Sequence, residues 1–342
     1  MLGRSSVIAV ALAGCAARSA PLPPSGPPPL PGLPAIHPRP SGPGFDPFGI
    51  RMLYASAHAG LSWVARWHAP PRSFAGVDPH DGWFDAAHGD ASYSVPGDGT
   101  LRISGPTPRM YIHDPACDHQ WQNVEITVYF ARLDDRAVPW GGMVSVARTN
   151  HGTTGDENVD TCDTRGIGAR MRYDGAIDFE KETRHPDSQP LARRTRWPDG
   201  LPFRRWLGYK HVVYDLPDGR VRQELWLDES DGDAGGEFQL LNAIEDDGAS
   251  FGAGAPGCRP GIAPELPLRA GDRPGSESGK PNISVYFRSD DVGRDGLVYK
   301  WASVREIDAP PSHDAGAAAS DAHQPQAWPA FCCSSQRSSG AK

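Results

Sequence analysis

The chain has 342 residues, of which 39 are Gly and 35 are Pro, and it carries a formal net charge of -8. Gly and Pro at this frequency interrupt long helices, and no stretch keeps a 3.6-residue apolar period, which excludes a helical bundle and predicts an all-β class. The acidic balance argues against a nucleic-acid partner, because domains that bind a phosphate backbone are usually basic.

The first 20 residues have the pattern of a secretory signal. One cation, Arg4, precedes an apolar run at residues 7–13 that is too short to span a bilayer. The run ends in Leu-Ala-Gly-Cys, which resembles a bacterial lipoprotein signal and implies that Cys15 is lipidated and becomes the mature N-terminus. An ordinary cleaved signal is the alternative. With either signal we expect an extracytoplasmic protein, anchored to the cell envelope or secreted, that meets a membrane only through Cys15.

Composition divides the rest of the chain into three parts. Residues 21–44 are rich in Pro and predict a semi-rigid spacer. Residues 45–308 contain the strand signals and predict one globular domain, which we expect to be monomeric. Residues 309–342 are rich in Ala, Ser, Pro and Gly and predict a disordered tail.

The six cysteines follow the same division. Cys15 belongs to the anchor, two cysteines lie in the tail, and Cys117, Cys162 and Cys258 lie in the domain. Three domain cysteines allow one disulfide and one free thiol, and we favour the pair Cys117 and Cys162. None has the Cys-x-x-Cys spacing of a zinc or redox site.

Strand signals recur along the domain with turn residues between them. The predicted strands are residues 93–95, 100–104, 110–113, 123–133, 143–148, 210–216, 221–228, 282–288 and 297–307, besides a hairpin within residues 166–182. In several of them the apolar residues alternate with charged and aromatic residues, so one face suits a core and the other is mixed.

The hairpin has a turn signal at Asp174 and Gly175, and its register follows from the side-chain pattern. A three-residue loop at 174–176 places Arg170 opposite Glu180 and Arg172 opposite Asp178, and it leaves an apolar second face. The four charged residues are therefore predicted to face outward as the working surface of the domain.

Residues 206–228, WLGYKHVVYDLPDGRVRQELWLD, resemble the paired strands of concanavalin A-like lectin and glucanase domains. Residues 297–307, LVYKWASVREI, resemble the last strand of the same fold, and the resemblance covers residues 80–307. It implies an all-β, antiparallel two-sheet jelly-roll β-sandwich whose concave sheet carries a carbohydrate site.

Retaining glucanases of that superfamily carry Glu-x-Asp-x-Glu on a concave strand, with the outer two glutamates as nucleophile and acid/base. Here the segment is Ala176-Ile-Asp178-Phe-Glu180, so alanine stands at the nucleophile position. This departure argues against the retaining mechanism, and Glu182, which has the same parity, is the remaining substitute.

Polysaccharide lyases of the jelly-roll type, which such domains also resemble, need a cation to neutralise a uronate and a base to take its C5 proton. The predicted catalytic residues are Arg170 and Arg172 as neutralisers and His151 or Tyr286 as base. A basic segment at 184–205 suits an anionic polysaccharide. The Gln-x-His and Tyr-Phe-Lys-Ala-Gly motifs of alginate lyases are absent from this sequence.

The alternative is a binding module without catalysis. The predicted substrate-binding residues are Tyr129, Asp178, Glu180, Trp226 and Arg288, with the aromatic rings as stacking platforms for sugars. Ordinary cross-strand ion pairs on a solvated face, a solvated loop at His151 and an adhesion domain without a sugar site remain open.

Metal signals are weak. Asp228, Asp231 and Asp233 resemble half of a calcium loop but do not fit the EF-hand spacing, and the sequence has no His-Glu-x-x-His. No cofactor is required by either function, and a structural calcium ion stays an option. The sequence therefore predicts an exported protein whose partner is a polysaccharide.

Overall fold

The computed structural model describes residues 40–68, 70–134, 138–149, 165–249, 267–271 and 283–310. In this part of the chain no helix is long and apolar enough to cross a bilayer. Cys117 is disulfide-bonded. Its predicted partner Cys162 lies outside the described residues, as do Cys15 and His151, so the pairing, the anchor and the role of His151 stay predictions.

The described residues form seventeen strands and one short 3-10 turn. In chain order the strands are β1 Ser62–Val64, β2 Arg72–Phe74, β3 Val77–Asp78, β4 Asp81–Asp85, β5 Ser92–Val95, β6 Thr100–Gly105, β7 Arg109–Ile112, β8 Val124–Arg132, β9 Gly142–Thr149, β10 Gly166–Arg172, β11 Ala176–Arg184, β12 Asp187–Thr195, β13 Leu207–Asp215, β14 Val221–Asp228, β15 Gln239–Asp246, β16 Ser284–Arg288 and β17 Val292–Glu306.

These strands make two antiparallel sheets. The nine-stranded sheet has the order β15-β14-β13-β8-β17-β6-β5-β2, with β1 also paired to β17. The eight-stranded sheet has the order β12-β11-β10-β9-β16-β7-β4-β3. The predicted class, an antiparallel two-sheet jelly-roll β-sandwich, is confirmed.

The core lies between the sheets, and the alternation of residues within the strands places it there. Val128 and Phe130 of β8 meet Phe179 of β11 and Phe287 of β16 in one cluster of buried side chains. Each of these residues has the parity that the sequence predicts for the apolar face. The mixed faces of the same strands point outward from the sandwich.

Six strands were not predicted: β1 to β4, β12 and β15, which include the edge strands of both sheets. β12 contains Pro190 and has no apolar alternation, so its sequence gives no strand signal. At the edge of a sheet a proline removes no hydrogen bond that a central strand would need, and the strand tolerates it there. Most of the predicted basic segment is therefore this edge strand and the loop that follows it.

The predicted hairpin loop is wrong by one residue. The turn occupies 173–175, not 174–176, and Arg170 lies opposite Asp178 in the register. Gly175 has a φ of 78° and donates its N–H to the carbonyl of residue 172. A three-residue loop of this type ends in a left-handed residue, which glycine adopts without strain. The pairing shifts by two residues, so every side chain keeps its predicted face.

Residues 45–56, which we call the strap, cross the outer face of the nine-stranded sheet. The backbone N–H groups of Leu53 and Tyr54 donate to Oε2 of Glu125, at 3.1 and 3.3 Å. Ile50 packs with Trp206 on the same face. The strap explains why charged side chains of this face are buried.

Candidate functional site

Two rows of side chains cross the outer face of the eight-stranded sheet, each in register from strand to strand. The first row consists of Asp178, Arg170, Val144, Arg288 and Arg109. The second row consists of Glu180, Gly168, Val146, Tyr286 and Tyr111. The structure thus brings five of the predicted site residues together on one face.

The charged residues at the β11 end of the first row form ion pairs with one another. Arg170 donates to both oxygens of Asp178 and, through Nη1, to Oε2 of Glu180 at 2.8 Å. Asp178 has no exposed surface, and Arg170 is 7% exposed. The prediction that these residues form an open, solvated surface is therefore wrong, because bidentate pairing inside the sheet face removes them from water.

Arg172 is likewise engaged. Its Nε and Nη2 donate to the carboxylate of Asp174 at 3.1 and 2.9 Å, and its Nη1 lies 3.6 Å from Asp178. A carboxylate group of a uronic acid would have to displace one of these partners from Arg170 or Arg172. The described geometry does not favour either arginine as the neutralising cation of a lyase.

The second row contains a narrow cleft. Glycines 166 and 168 and Val146 line it together with Glu180, Glu182, Tyr286 and the buried Arg165, which the sequence analysis did not identify. A Cβ atom at position 168 would lie 3.1 Å from Cγ of Glu180, so the glycine makes the room in which this side chain lies. The cleft therefore has a low glycine floor, carboxylates on one side and a phenol ring on the other.

Each of the two glutamates of the cleft has a described hydrogen-bond partner on only one of its two carboxylate oxygens. Oε2 of Glu180 accepts hydrogen bonds from Arg170 and from Ser188, each at 2.8 Å, whereas Oε1 lies 3.9 Å from Nη1 of Arg288. Oε1 of Glu182 lies 2.7 Å from Nδ1 of His185. Among the described residues no hydrogen bond reaches the second oxygen of either carboxylate.

Glu180 is held in its ionised form. Burial opposes ionisation, but the charges of Arg288 and Arg170 and the hydroxyl of Ser188 together lower the pKa of the Glu180 carboxyl below its usual range. A carboxylate of this kind accepts hydrogen bonds at neutral pH and does not serve as a general acid.

Arg288 differs from its neighbour Arg170. Its closest carboxylate oxygens, on Glu180 and Asp290, are both 3.9 Å away, beyond hydrogen-bond distance. Its Nε is buried and has no hydrogen-bond partner. Arg288 therefore carries donors that point to no described acceptor, at the boundary between the two rows.

Tyr286 forms a ring pair with Tyr111, with centroids 4.8 Å apart. Tyr286 is 1% exposed, and burial raises the pKa of its phenol far above neutrality. The phenol therefore stays protonated, which does not favour the predicted role of Tyr286 as a base.

Sequence reasoning missed the continuation of this row. Asp85 lies opposite Tyr111 in the register, and the ring of His88 meets Tyr111 at 5.0 Å. Nε2 of His113 is 3.6 Å from Oδ2 of Asp85. Parity within the predicted strand at 110–113 could have identified Tyr111, but the sequence has no signal that brings Asp85 beside it.

Tyr129 and Trp226 do not join this site, because β8 and β14 belong to the nine-stranded sheet. The hydroxyl of Tyr129 donates to Asp228 at 2.8 Å, and its ring is fully buried. Nε1 of Trp226 donates to Glu224 at 3.0 Å. The prediction of one common binding face for these rings and Tyr286 is wrong, since they lie on opposite outer faces.

The proposed half of a calcium loop does not fit the ion. Asp228 accepts hydrogen bonds from the Ser230 hydroxyl and from several backbone N–H groups. Asp231 is paired with Lys300. These oxygens already have donors, and no group of three or more His, Cys, Asp or Glu within the described residues is arranged to hold a metal ion.

No family model and no curated protein matches the chain. Among solved structures, the exoplasmic/lumenal domain of VIP36, in a Ca2+/Man3GlcNAc-bound form, is 12% identical over 74% of this chain and 93% of that chain, with a TM-score of 0.39. A legume lectin-like domain from Entamoeba histolytica is 11% identical over 69% and 97%, with a TM-score of 0.36. A protein of unknown function from Bacillus subtilis with a galectin-like fold is 11% identical over 74% and 98%, with a TM-score of 0.39. These likenesses concern the fold, and we transfer no ligand and no residue role from them.

Proposed function

We propose that this protein binds a polysaccharide without cleaving it and that one hydroxyl group of a sugar enters the cleft of the second row, whose volume of about 10 Å³ is room for about one water molecule. One observation carries the proposal: Glu180 and Glu182 each present one carboxylate oxygen without a described hydrogen-bond donor to a cleft with a glycine floor. Carboxylates that are held ionised accept hydrogen bonds from sugar hydroxyls.

The other groups of the cleft complement this chemistry. Tyr286 is buried beside the cleft, and its protonated phenol adds a polar group to the wall of the cleft. Arg288 offers donors without a described acceptor. Few polar groups, placed around a small concave site, are typical of ligand recognition.

A lyase is less well supported than a binding module. Its two predicted cations, Arg170 and Arg172, are occupied by carboxylates, and its predicted base Tyr286 is held protonated. His151 remains an untested candidate for the base. Lyase activity would appear as growing absorbance near 232 nm, the signal of an unsaturated uronide, with alginate or pectate.

The test is retention of the full chain on a panel of neutral and acidic polysaccharides, with that absorbance followed in parallel. We expect retention without a rise in absorbance. Gly168→Ala, which fills the cleft, and Glu182→Gln, which removes a carboxylate, should each lower the affinity by about tenfold, as expected for one lost charged hydrogen bond.

Glu245→Gln is the matched control, because Glu245 pairs with arginines on the edge of the other sheet. Equal loss of affinity in this control would show that the cleft is not the site. A wild-type chain that binds no glycan in the panel would overturn the proposed function, and a rise in absorbance would replace it with the lyase.

The proposal includes an extracytoplasmic location with a lipid anchor at Cys15, which rests on the sequence alone. Labelled palmitate should be incorporated into the full chain in a bacterial host and should be lost in Cys15→Ala. Incorporation that survives the substitution would exclude this anchor, and a secreted protein would then be expected.

A further inference from the structure

A second surface lies at the end of the sandwich, where three loops meet around the turn 173–175. We call it the arginine surface and define it as residues 193–205 together with Trp140. The backbone N–H of Asp174 donates to Pro139 at 3.2 Å, which brings the loop of Trp140 to the turn. Nη2 of Arg193 reaches the carboxylate of Asp174 at 2.8 Å.

The aromatic residues of this surface are uncovered. Trp140 is 49% exposed and Phe203 is 54% exposed, which is unusual for rings of their size. The guanidinium carbon of Arg132 lies 4.0 Å from the Phe203 ring and 4.7 Å from the Tyr173 ring, which fixes the Phe203 loop against the turn. A folded monomer has no need of these exposed rings for its own core.

The charge of the surface is opposite to that of the chain. Residues 193–205 include five exposed arginines against one acid, Asp199, in a chain of net charge -8. Arg193, Arg196 and Arg205 form surface pairs with Asp174 or Glu229, which contribute little and can exchange for an anion of a ligand. The remaining exposed arginines are Arg194 and Arg204. The cluster gives a local positive potential on an acidic molecule.

Arg193 joins the arginine surface to the face that holds the cleft. Arg172 lies opposite Gly142 at the end of the sheet, and Gly142 follows Trp140 by two residues. The carboxylate of Asp174 is paired with both Arg172 and Arg193. Glu180 lies opposite Gly168, and Arg172 is four residues further along the same strand, which corresponds to roughly 13 Å. A single oligosaccharide of a few sugar units could therefore touch both places.

From these observations we infer that the ligand is an acidic polysaccharide, bearing carboxylate or sulfate groups, and that the arginine surface binds it next to the cleft. This inference rests on the proposed function and specifies its substrate class. Arginines bind carboxylate and sulfate groups through paired donors, and exposed rings stack on sugar units. A single-stranded nucleic acid would use the same residue types, and the cleft for hydroxyl groups favours the polysaccharide.

The test compares the affinity of the full chain for acidic and neutral oligosaccharides of equal length, at low and high salt. We expect the double variant Arg193→Ala/Arg194→Ala, and separately Trp140→Ala, to bind the acidic oligosaccharide about tenfold more weakly. In the double variant, binding of the neutral oligosaccharide should not change and the salt dependence should decrease.

The matched control is Arg66→Ala/Arg220→Ala, which removes the same charge from two arginines outside the arginine surface, Arg66 being exposed and Arg220 half-buried. Equal weakening in this control, or unchanged acidic binding in both test variants, would overturn the inference. Tighter binding of a single-stranded oligonucleotide than of the acidic oligosaccharide would also overturn it. If neutral glycans are bound and Gly168→Ala abolishes that binding while acidic glycans are ignored, the proposed function stands and only this inference fails.

Discussion

Glu125 and Glu180 are both buried carboxylates with two cations nearby, one on the outer face of each sheet. Glu125 accepts Lys210 on one oxygen at 2.7 Å, and its other oxygen accepts Arg305 and backbone N–H groups of the strap. Glu180 has one oxygen occupied by Arg170 and Ser188, and its other oxygen has no described donor. The same residue type thus has both oxygens bonded on one face and only one oxygen bonded to a described donor on the other.

The difference comes from what lies over each sheet. On the nine-stranded sheet the strap supplies the donors that complete the shell of Glu125, so the charges there stabilise the packing of residues 45–56. On the eight-stranded sheet the described groups complete only half of the shell of Glu180. A mixed face in the sequence can therefore differ in how completely its buried charges are paired, and the strap accounts for the complete pairing of Glu125.

The largest expected loss of stability comes from removing the carboxylate of Glu125 on the nine-stranded sheet. Glu125→Ala leaves Lys210 and Arg305 buried without their carboxylate, which should lower the free energy of unfolding by about 3–5 kcal/mol. Urea unfolding of the full chain measures this loss. The same truncation at Glu182, in the cleft, should cost less; equal losses at the two positions would contradict the contrast between the faces.

A smaller effect concerns the core beneath both faces. Burial lowers the pKa of His211 to about 3, against a smaller opposing effect of Gln223, so its imidazole is neutral in the folded protein. The unfolded chain takes up this proton below about pH 6.5, and stability is therefore lost as the pH falls from there towards 3. Between about pH 7 and about pH 5 the loss from this group should be about 2 kcal/mol.

Urea midpoints at these two pH values check the titration of His211. His211→Phe should flatten the pH dependence, whatever it does to the absolute stability, whereas His80→Phe, at an exposed position, should leave it unchanged. A pH dependence that survives in His211→Phe would assign the titration to another group. The pH dependence that comes from His211 must be subtracted before the pH dependence of stability is compared between variants of the two faces.

The smallest expected effect on stability sharpens the contrast within the eight-stranded sheet. Arg288 makes no described hydrogen bond, but its charge helps to keep Glu180 ionised, so Arg288→Ala should lower the free energy of unfolding by less than Arg170→Ala does while it weakens glycan binding. Arg170→Ala should destabilise the fold strongly, because Asp178 and Glu180 lose their cation. Glycan affinity and urea unfolding of both variants measure this, and a large stability loss in Arg288→Ala would mean that Arg288 is structural.

The sequence by itself determined the class of fold and the face of nearly every predicted strand. Alternation with a period of two is a local property, so Phe130, Phe179 and Phe287 could be placed in the core without knowing their partners. The same property survived the error in the hairpin register, because a shift of two residues leaves each side chain on its face. Glu180, Arg288 and Tyr286 were identified for this reason.

Only the tertiary structure decided which outward residues share a face and which of them are buried by partners. Tyr129 and Tyr286 have equivalent patterns in their strands, yet strand order places them on opposite sides of the sandwich. The burial of Arg170, the cover over Glu125 and the meeting of Asp85 with Tyr111 depend on contacts between segments far apart in the chain. Sequence patterns record the period of a strand, whereas strand order and covering segments are fixed by the packing of the whole domain.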